Sequence, residues 1–471
     1  MTVYEKYYQN ADNQALEFGL YGYSPPTDGT YRVDGEVKTT GEDYRTVERY
    51  REYKEAGFNI LLMQHTSRYE GEEWETSSAK MVMDRAQAAG LKKAIVNDKR
   101  IWDLCRQEDG LFGEGKPFAD ETALDDFLKT CIAPYKTHPI FYGIQLLDEP
   151  RKKQLKGIGQ IFKSLKRVCP TAFVQCNLLP LSGIPISENA FPGEGNFTDK
   201  FKAYLESFLD ETDAGYILYD SYPICDQWWE SNIGRFYIKG LQIAARVCKE
   251  RGASFRFVAQ TFGMTNAGYR YFFMPNEAQI RWQINLLLGF GVKELAYFTY
   301  WTKQDNNTKG EMFHDGEAMM TRDGKRTETY YIVQAINHEI EKLAPVILNF
   351  EYVANRYAIK TPLTSHPLFL EYTERESLEG VTVTTDQEVA FVQELKDKKN
   401  GQPMYVLTNA TDPKYAEKYD TAQTTVLGFG GKYDAADVFE KGKWKTVSLD
   451  GGKFIATLRP GYAQFVLPYK Q

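Results

Sequence analysis

The sequence is poor in the features that mark several classes of protein. Its 471 residues include only 5 His and 6 Cys, and the cysteines show neither a CxxC pair nor the spacing of a metal site. The apolar stretches, such as residues 284–292, are far too short to span a bilayer. The formal net charge is −7, which does not attract phosphate backbones. We therefore expect no metal, no cofactor, no membrane span and no nucleic-acid partner.

The start of the chain, MTVYEKYYQNADNQ, is polar and lacks the apolar stretch of a signal peptide. Six cysteines without a pairing pattern are most simply explained as buried thiols in a reducing compartment. We therefore expect a cytoplasmic protein, although a secreted protein whose leader has been removed would begin in the same way. The sequence indicates no oligomeric state.

Up to about residue 350, short β-rich runs alternate with longer segments of helical period. The eight runs are 17–23, 58–64, 91–97, 140–147, 172–179, 216–222, 254–262 and 293–301. They begin about 39 residues apart, which is the length that a strand, a helix and two loops require. The pattern predicts an α/β fold, a (β/α)8 TIM barrel, over residues 1–350. An open doubly wound sheet is less favoured, because no glycine-rich dinucleotide fingerprint follows the first run.

Beyond residue 350 the pattern changes to short β-type runs separated by turn signals such as Gly430-Gly431 and Asp450-Gly451-Gly452. This pattern of short strands and turns is typical of an all-β domain. We therefore predict two domains, a catalytic barrel over residues 1–350 and a C-terminal β-sandwich over residues 351–471.

In a barrel of this type the reacting groups lie at the carboxyl ends of the strands. Candidate residues at the ends of the eight runs include Tyr23, His65, Asp148, Glu149, Asn177, Asp220, Tyr222, Gln260 and Trp301. This ring is polar and aromatic, and it suits a ligand rich in neutral hydroxyl groups better than a phosphorylated one. An aromatic content of 14% also favours carbohydrate, since Tyr and Trp stack on sugar faces.

Asp148-Glu149-Pro150 is the sharpest local motif. An apolar strand that runs into two adjacent acids is costly unless one acid is used or well paired. Burial beside a like charge raises the pKa of one carboxyl, which a general acid at neutral pH requires. A purely structural alternative is that Asp148 caps the next helix or pairs with Arg151.

The run IFYGIQLLDEP resembles the Asn-Glu-Pro or Asp-Glu-Pro acid motif on strand 4 of clan A glycoside hydrolases. YILYDSYPI, FVAQTFG, PNEAQIRWQINLLLGFGVKELAYFTYW and the tail LDGGKFIATLRPGYAQFVLP are similar to a poorly characterised group of barrel glycosidases with a C-terminal all-β domain. The likeness covers most of the chain. It implies that Glu149 is the general acid/base, that Asp148 orients it or a substrate hydroxyl, and that Trp301 floors the sugar subsite.

The chain departs from the family at strand 7. Clan A retaining enzymes place a nucleophilic glutamate there, and this sequence has Gln260, whose amide cannot form a glycosyl ester. Three alternatives remain open. Asp220 supplies the second carboxylate; the substrate's own N-acetyl group attacks while Asp148 and Glu149 assist; or a loop carboxylate, Glu194 or Asp305, completes the site. The remaining strand-end residues would then bind substrate, namely Tyr23, His65, Asn177, Tyr222 and Gln260.

A non-catalytic alternative follows from the same departure. A carbohydrate-binding barrel that has lost its strand-7 nucleophile would show this sequence. A lyase or isomerase is less favoured, because the strand ends offer no clear catalytic lysine, metal or phosphate site.

Overall fold

The computed structural model describes residues 1–64, 69–183, 195–225, 233–359, 376–386, 389–411 and 422–471. In the first 349 residues, the described strands are β1 (Gly19–Gly22), β2 (Thr30–Val33), β3 (Glu36–Thr39), β4 (Leu61–Leu62), β5 (Ala94–Asn97), β6 (Phe141–Asp148), β7 (Phe173–Asn177), β8 (Tyr216–Asp220), β9 (Ser254–Gln260), β10 (Met264–Asn266), β11 (Tyr269–Phe272), β12 (Val292–Phe298), β13 (Asp305–Asn306) and β14 (Glu311–Phe313). Each of the eight predicted runs contains or overlaps one strand, so these predictions are confirmed.

Helices separate the strands, as the 3.6-residue period predicted. The described α-helices are α1 (Val3–Tyr7), α2 (Ala11–Gln14), α3 (Val47–Glu55), α4 (Ser78–Ala88), α5 (Lys99–Leu104), α6 (Glu121–Ile132), α7 (Lys152–Val168), α8 (Phe197–Thr212), α9 (Lys239–Arg251), α10 (Glu277–Gly289) and α11 (Glu328–Ile347). Their ends follow capping chemistry. Asn276, for example, begins α10 with a capping box, because its side chain accepts from Gln279 N while the Gln279 side chain accepts from Asn276 N.

The eight predicted strands form two four-stranded parallel sheets with the orders β1-β12-β9-β8 and β4-β5-β6-β7. Backbone hydrogen bonds join the sheets at both edges. Leu178 N donates to Leu218 O at 2.9 Å beside β7 and β8, and Ile60 N donates to Leu20 O at 3.2 Å beside β4 and β1. All eight strands therefore run in one direction, and their carboxyl ends meet on one side of the molecule.

Two small three-stranded sheets lie on that side of the molecule. The antiparallel strands β11-β10-β14 form what we call the cap sheet, and β13-β2-β3 form a second three-stranded sheet. Met264 of β10 and Phe313 of β14 form a small hydrophobic cluster with Phe262, which packs the cap sheet against the end of β9. Its strands are three or four residues long, too short to show a periodic signal, and the sequence did not predict them.

The C-terminal part contains two antiparallel sheets. Their strands are β15 (Phe350–Ile359), β16 (Thr382–Thr385), β17 (Val389–Asp397), β18 (Pro403–Asn409), β19 (Gln423–Gly428), β20 (Ala435–Glu440), β21 (Lys443–Ser448), β22 (Lys453–Leu458) and β23 (Ala463–Tyr469). The sheet orders are β15-β17-β18-β23-β20-β21 and β16-β19-β22. One hydrophobic core contains residues from both, including Val392, Leu407, Leu427 and Phe454. The predicted all-β texture is confirmed, while the domain boundary at residues 350/351 stays a prediction.

The C-terminal sheet lies directly against α10. Gln393 Nε2 donates to Leu286 O at 3.0 Å, and Asn285 Nδ2 donates to Gly461 O at 2.9 Å. An added Cβ at Gly289 would overlap the side-chain amide of Gln393, which is itself fully buried. Among the described helices, none is long and apolar enough to cross a membrane. All six cysteines are buried and remain thiols.

Candidate active site

The acid motif lies where β6 leaves its regular pairing with β7. The register shifts between Gln145 and Asp148, so that Asp148 pairs with Asn177, and Glu149 N donates to Asn177 O at 2.9 Å. Glu149 has φ 51°, in the left-handed region, which costs a non-glycine residue about 1–2 kcal/mol. Bulges and strained residues of this kind re-aim side chains and concentrate at functional sites.

One amide group joins two carboxylates. Asn177 Nδ2 donates to Asp148 Oδ1 at 3.0 Å and to Asp220 Oδ1 at 2.8 Å. Asn177 is only 5% exposed, and its Oδ1 accepts no hydrogen bond from the described residues. The ends of β6, β7 and β8 are therefore tied together by a side chain that retains one unused acceptor.

These groups line a cavity of about 190 Å³. Six predicted site residues contribute to its lining, namely Tyr23, Asp148, Glu149, Asn177, Asp220 and Tyr222. The other lining residues were not predicted and come from the cap sheet and neighbouring segments: Phe262, Met264, Phe272, Phe298, Lys303, Glu311 and Phe313. Carboxylates, amide and hydroxyl groups, aromatic rings and one lysine thus face the same cavity.

Burial and like charges favour the protonated forms of the three acids. Part of Glu149 is exposed to solvent, but its carboxyl group is surrounded by protein, and this burial raises its pKa. The negative charges of Asp220, Asp148 and Glu311 raise the pKa further. Burial and then Asp148 raise the pKa of Asp220, against the hydrogen bond from Asn177. Burial also raises the pKa of Asp148. A carboxyl group kept neutral near pH 7 can act as a general acid.

Trp301 does not lie in this cavity, so its predicted role as the floor of a sugar subsite is wrong. Its side chain is 0% exposed, and its Nε1 donates to Arg322 O at 3.3 Å. Its ring lies 5.0 Å from that of Tyr44. The chain turns Trp301 into the space beside α3, where it contributes packing area.

Gln260 is also absent from the cavity lining, and its predicted role as a substrate contact is wrong. It is 0% exposed at the end of β9. Its side-chain amide is occupied by backbone groups of the neighbouring loops. Sequence reasoning placed it correctly at a strand end but did not foresee these loops.

Other predicted candidates lie elsewhere. His65 and Glu194 fall outside the described residues. Asp305 is exposed in β13 and does not contribute to the cavity lining. Lys303 and Glu311 were missed because they follow β12 in a segment without periodicity. Within the described ranges, no group of three or more His, Cys, Asp or Glu side chains is arranged to hold a metal ion.

A second cavity, of about 710 Å³, lies at the opposite end of the strands. Its carboxylates are already paired, since Glu17 lies 2.9 Å from Lys93 Nζ and Glu341 lies 3.2 Å from His338 Nδ1. Although this cavity is larger, both of its carboxylates are paired with basic side chains, so the candidate chemistry is at the carboxyl ends of the strands.

The chain resembles solved structures of glycoside hydrolases over nearly its whole length. No family model matches it, and no curated protein sequence matches it. A β-galactosidase from Bacillus circulans sp. alkalophilus aligns with a TM-score of 0.56 and 9% identity, covering 96% of this chain and 99% of that one. An Anoxybacillus α-amylase aligns with a TM-score of 0.51 and 11% identity, covering 98% and 99%. At these identities the likeness establishes a shared fold.

Proposed function

We propose that the protein is a glycoside hydrolase that binds a carbohydrate in the carboxylate cavity and uses Glu149 as its general acid/base. The observation that carries the proposal is the convergence of Glu149, Asp148 and Asp220 on one cavity, where burial raises the pKa of each and neighbouring carboxylates raise those of Glu149 and Asp220 further. The fold shared with glycoside hydrolases supports it. We infer that the two parallel sheets close into one (β/α)8 barrel and that the C-terminal sheets form a sandwich.

In this mechanism the protonated Glu149 donates its proton to the glycosidic oxygen as the bond to the anomeric carbon breaks. Negative charge on Asp148 or Asp220 stabilises the oxocarbenium-like centre that develops. The unused Oδ1 of Asn177 is available to a substrate, because it needs a donor that a hydroxyl group would supply. The Tyr222 side chain hydrogen-bonds Asp220 at the cavity wall.

Asp220 is our candidate for the second carboxylate. Its charge is the largest electrostatic contribution to the raised pKa of Glu149, which is expected of a close pair. It acts as the nucleophile if the carboxyl groups lie about 5–5.5 Å apart, or as the base for water if they lie roughly 6.5–9.5 Å apart. Attack by a substrate N-acetyl group, assisted by Asp148, is the alternative for an N-acetylated sugar.

The test is hydrolysis of a panel of α- and β-glycosides by the wild-type chain and by Glu149→Gln. We expect turnover of at least one glycoside and a loss of about 10²–10⁴-fold in kcat in the variant. The exposed change Glu328→Gln at the start of α11 is the matched control. Product analysis is paired with calorimetry on the same panel. Binding without turnover by the wild type would favour the non-catalytic alternative, and full activity in Glu149→Gln would exclude the proposed role.

A further inference from the structure

Gln260 makes an unusual set of hydrogen bonds for a residue at a strand end. Its Oε1 accepts from Ile224 N at 2.8 Å. Its Nε2 lies within donating distance of three carbonyl oxygens, those of Ile224 at 3.0 Å, Phe262 at 3.2 Å and Phe273 at 3.1 Å. Since an amide nitrogen has only two hydrogens, at least one of them is shared between two acceptors.

The three backbone segments that Gln260 contacts carry one wall of the carboxylate cavity. Gln260 hydrogen-bonds the backbone of Ile224, Phe262 and Phe273. Phe262 carries one ring of the wall, Tyr222 lies two residues before Ile224, and Phe272 immediately precedes Phe273. The three rings contact one another, with centroids 5.0 Å apart for Tyr222 and Phe262, 5.2 Å for Phe262 and Phe272, and 5.7 Å for Tyr222 and Phe272. We call them the aromatic wall, and all three line the cavity.

We propose that Gln260 is a positioning residue that holds the aromatic wall at a fixed distance from Glu149 and thereby seats the substrate without touching it. The seating of a substrate rests on the proposed function, whereas the position of the wall does not. Gln260 joins the end of β9 to the segment after β8 and to the end of β11. Those two segments are themselves joined by an isolated antiparallel bridge between Cys225 and Phe272 and by a hydrogen bond from Phe273 N to Ile224 O at 3.0 Å.

The chemistry of the position requires an amide. A carboxylate has no N–H group and would place a buried charge against three carbonyl oxygens. A thioether of similar length would remove the donor to the carbonyl oxygens of Phe262 and Phe273 and the acceptor of the Ile224 N–H, while Ile224 O would keep its hydrogen bond from Phe273 N. Glutamine is therefore the residue that these loops require. A glutamate, which the resemblance to clan A would lead one to expect at this strand, is incompatible with them.

The direct test is a crystal structure of Gln260→Met, a neutral variant of similar size. We expect the rings of the aromatic wall to move by about 1 Å or more relative to Glu149, because the carbonyl oxygens of Phe262 and Phe273 lose the side-chain donor and the Ile224 N–H loses its acceptor. Unmoved rings would overturn the proposal. This measurement needs no substrate, so it remains decisive even if the wild-type chain hydrolyses no glycoside and the proposed function fails.

The kinetic test uses Gln260→Met and Gln260→Glu, with the exposed change Gln87→Glu as the control for added charge. A displaced wall is expected to raise KM by roughly 10- to 100-fold while the limbs of the pH profile of kcat stay in place. An unchanged KM in both folded variants would contradict the proposal. So would a covalent glycosyl adduct at position 260 in Gln260→Glu, because residue 260 would then reach the substrate.

Discussion

Asn177 Nδ2 lies 2.8 Å from Asp220 Oδ1 and donates a hydrogen bond to it. The same nitrogen donates to Asp148 at 3.0 Å. A single neutral amide therefore stabilises negative charge on both Asp148 and Asp220, whereas Glu149 accepts no hydrogen bond from that amide. Burial raises the pKa of all three acids, and the hydrogen bonds from Asn177 oppose that rise at Asp148 and Asp220, so Glu149 is the acid that keeps its proton to the highest pH.

Replacing Asn177 by Ala should shift the acidic limb of the pH–rate profile upward. The hydrogen bond from Asn177 lowers the pKa of both Asp148 and Asp220, so its loss raises them and delays their ionisation. We expect the limb to move by about one pH unit and kcat to fall about tenfold or more. An unchanged acidic limb in a folded variant would show that neither aspartate limits the rate.

Replacing Asp220 by Asn should move the basic limb in the opposite direction. The charge of Asp220 raises the pKa of Glu149, and without it Glu149 loses its proton at lower pH. The basic limb of kcat/KM is expected about one pH unit lower, with a large loss of kcat if Asp220 is the second carboxylate. If the basic limb does not move in Asp220→Asn, the group that titrates there is not Glu149, which would contradict this prediction.

The sequence predicted the strands and the acids better than it predicted the cavity. Strand ends follow from apolar runs and fixed topology, which is why Asp148, Glu149 and Asp220 were found together. Trp301 and Gln260 were misassigned because the direction in which a side chain points at a strand end depends on the loops that pack around it, and the sequence pattern does not show those loops. The cap sheet was missed because strands of three or four residues carry no period.

The buried carboxyl group of Asp220 should lower the free energy of unfolding once the pH is high enough to ionise it. The folded-state pKa of Asp220 is raised, so the fold binds its proton more tightly than the unfolded chain. Wild-type stability therefore falls as pH rises from about 4 through the folded-state pKa. Asp220→Asn removes this penalty, and we expect the free energy of unfolding to rise by about 1–3 kcal/mol at pH 8, with little change at pH 4.

Chemical denaturation at the two pH values measures the difference. Asp213→Asn is the control, because the hydrogen bond from Lys166 lowers the pKa of Asp213 and its removal brings no gain at pH 8. A variant Asp220→Asn that is no more stable than wild type at pH 8 would contradict the unfavourable burial of this acid.

The contact between α10 and the C-terminal sheet gives a prediction independent of chemistry. Gly289→Ala would place Cβ on the amide of Gln393, whose fully buried side chain would have to give up its hydrogen bond to Leu286 O, and overpacking of this kind costs about 1–3 kcal/mol. Gly157 in α7 is the matched control, since an added Cβ there meets its nearest atom at 3.5 Å and alanine favours a helix by about 0.5–1 kcal/mol. Equal melting temperatures for the two variants would contradict this interface.

The most direct measurement is the protonation state of Glu149, because the proposed mechanism needs this residue to be a general acid near pH 7. Glutamate labelled with ¹³C at the carboxyl carbon, with Glu149→Gln used to assign the resonance, gives its titration by NMR. Burial together with Asp220 and Asp148 raises the pKa of Glu149, and the account predicts a midpoint above neutral pH in the unliganded wild type. A midpoint near the ordinary glutamate value of about 4.3 would leave the cavity without a general acid at pH 7 and would contradict the proposed mechanism.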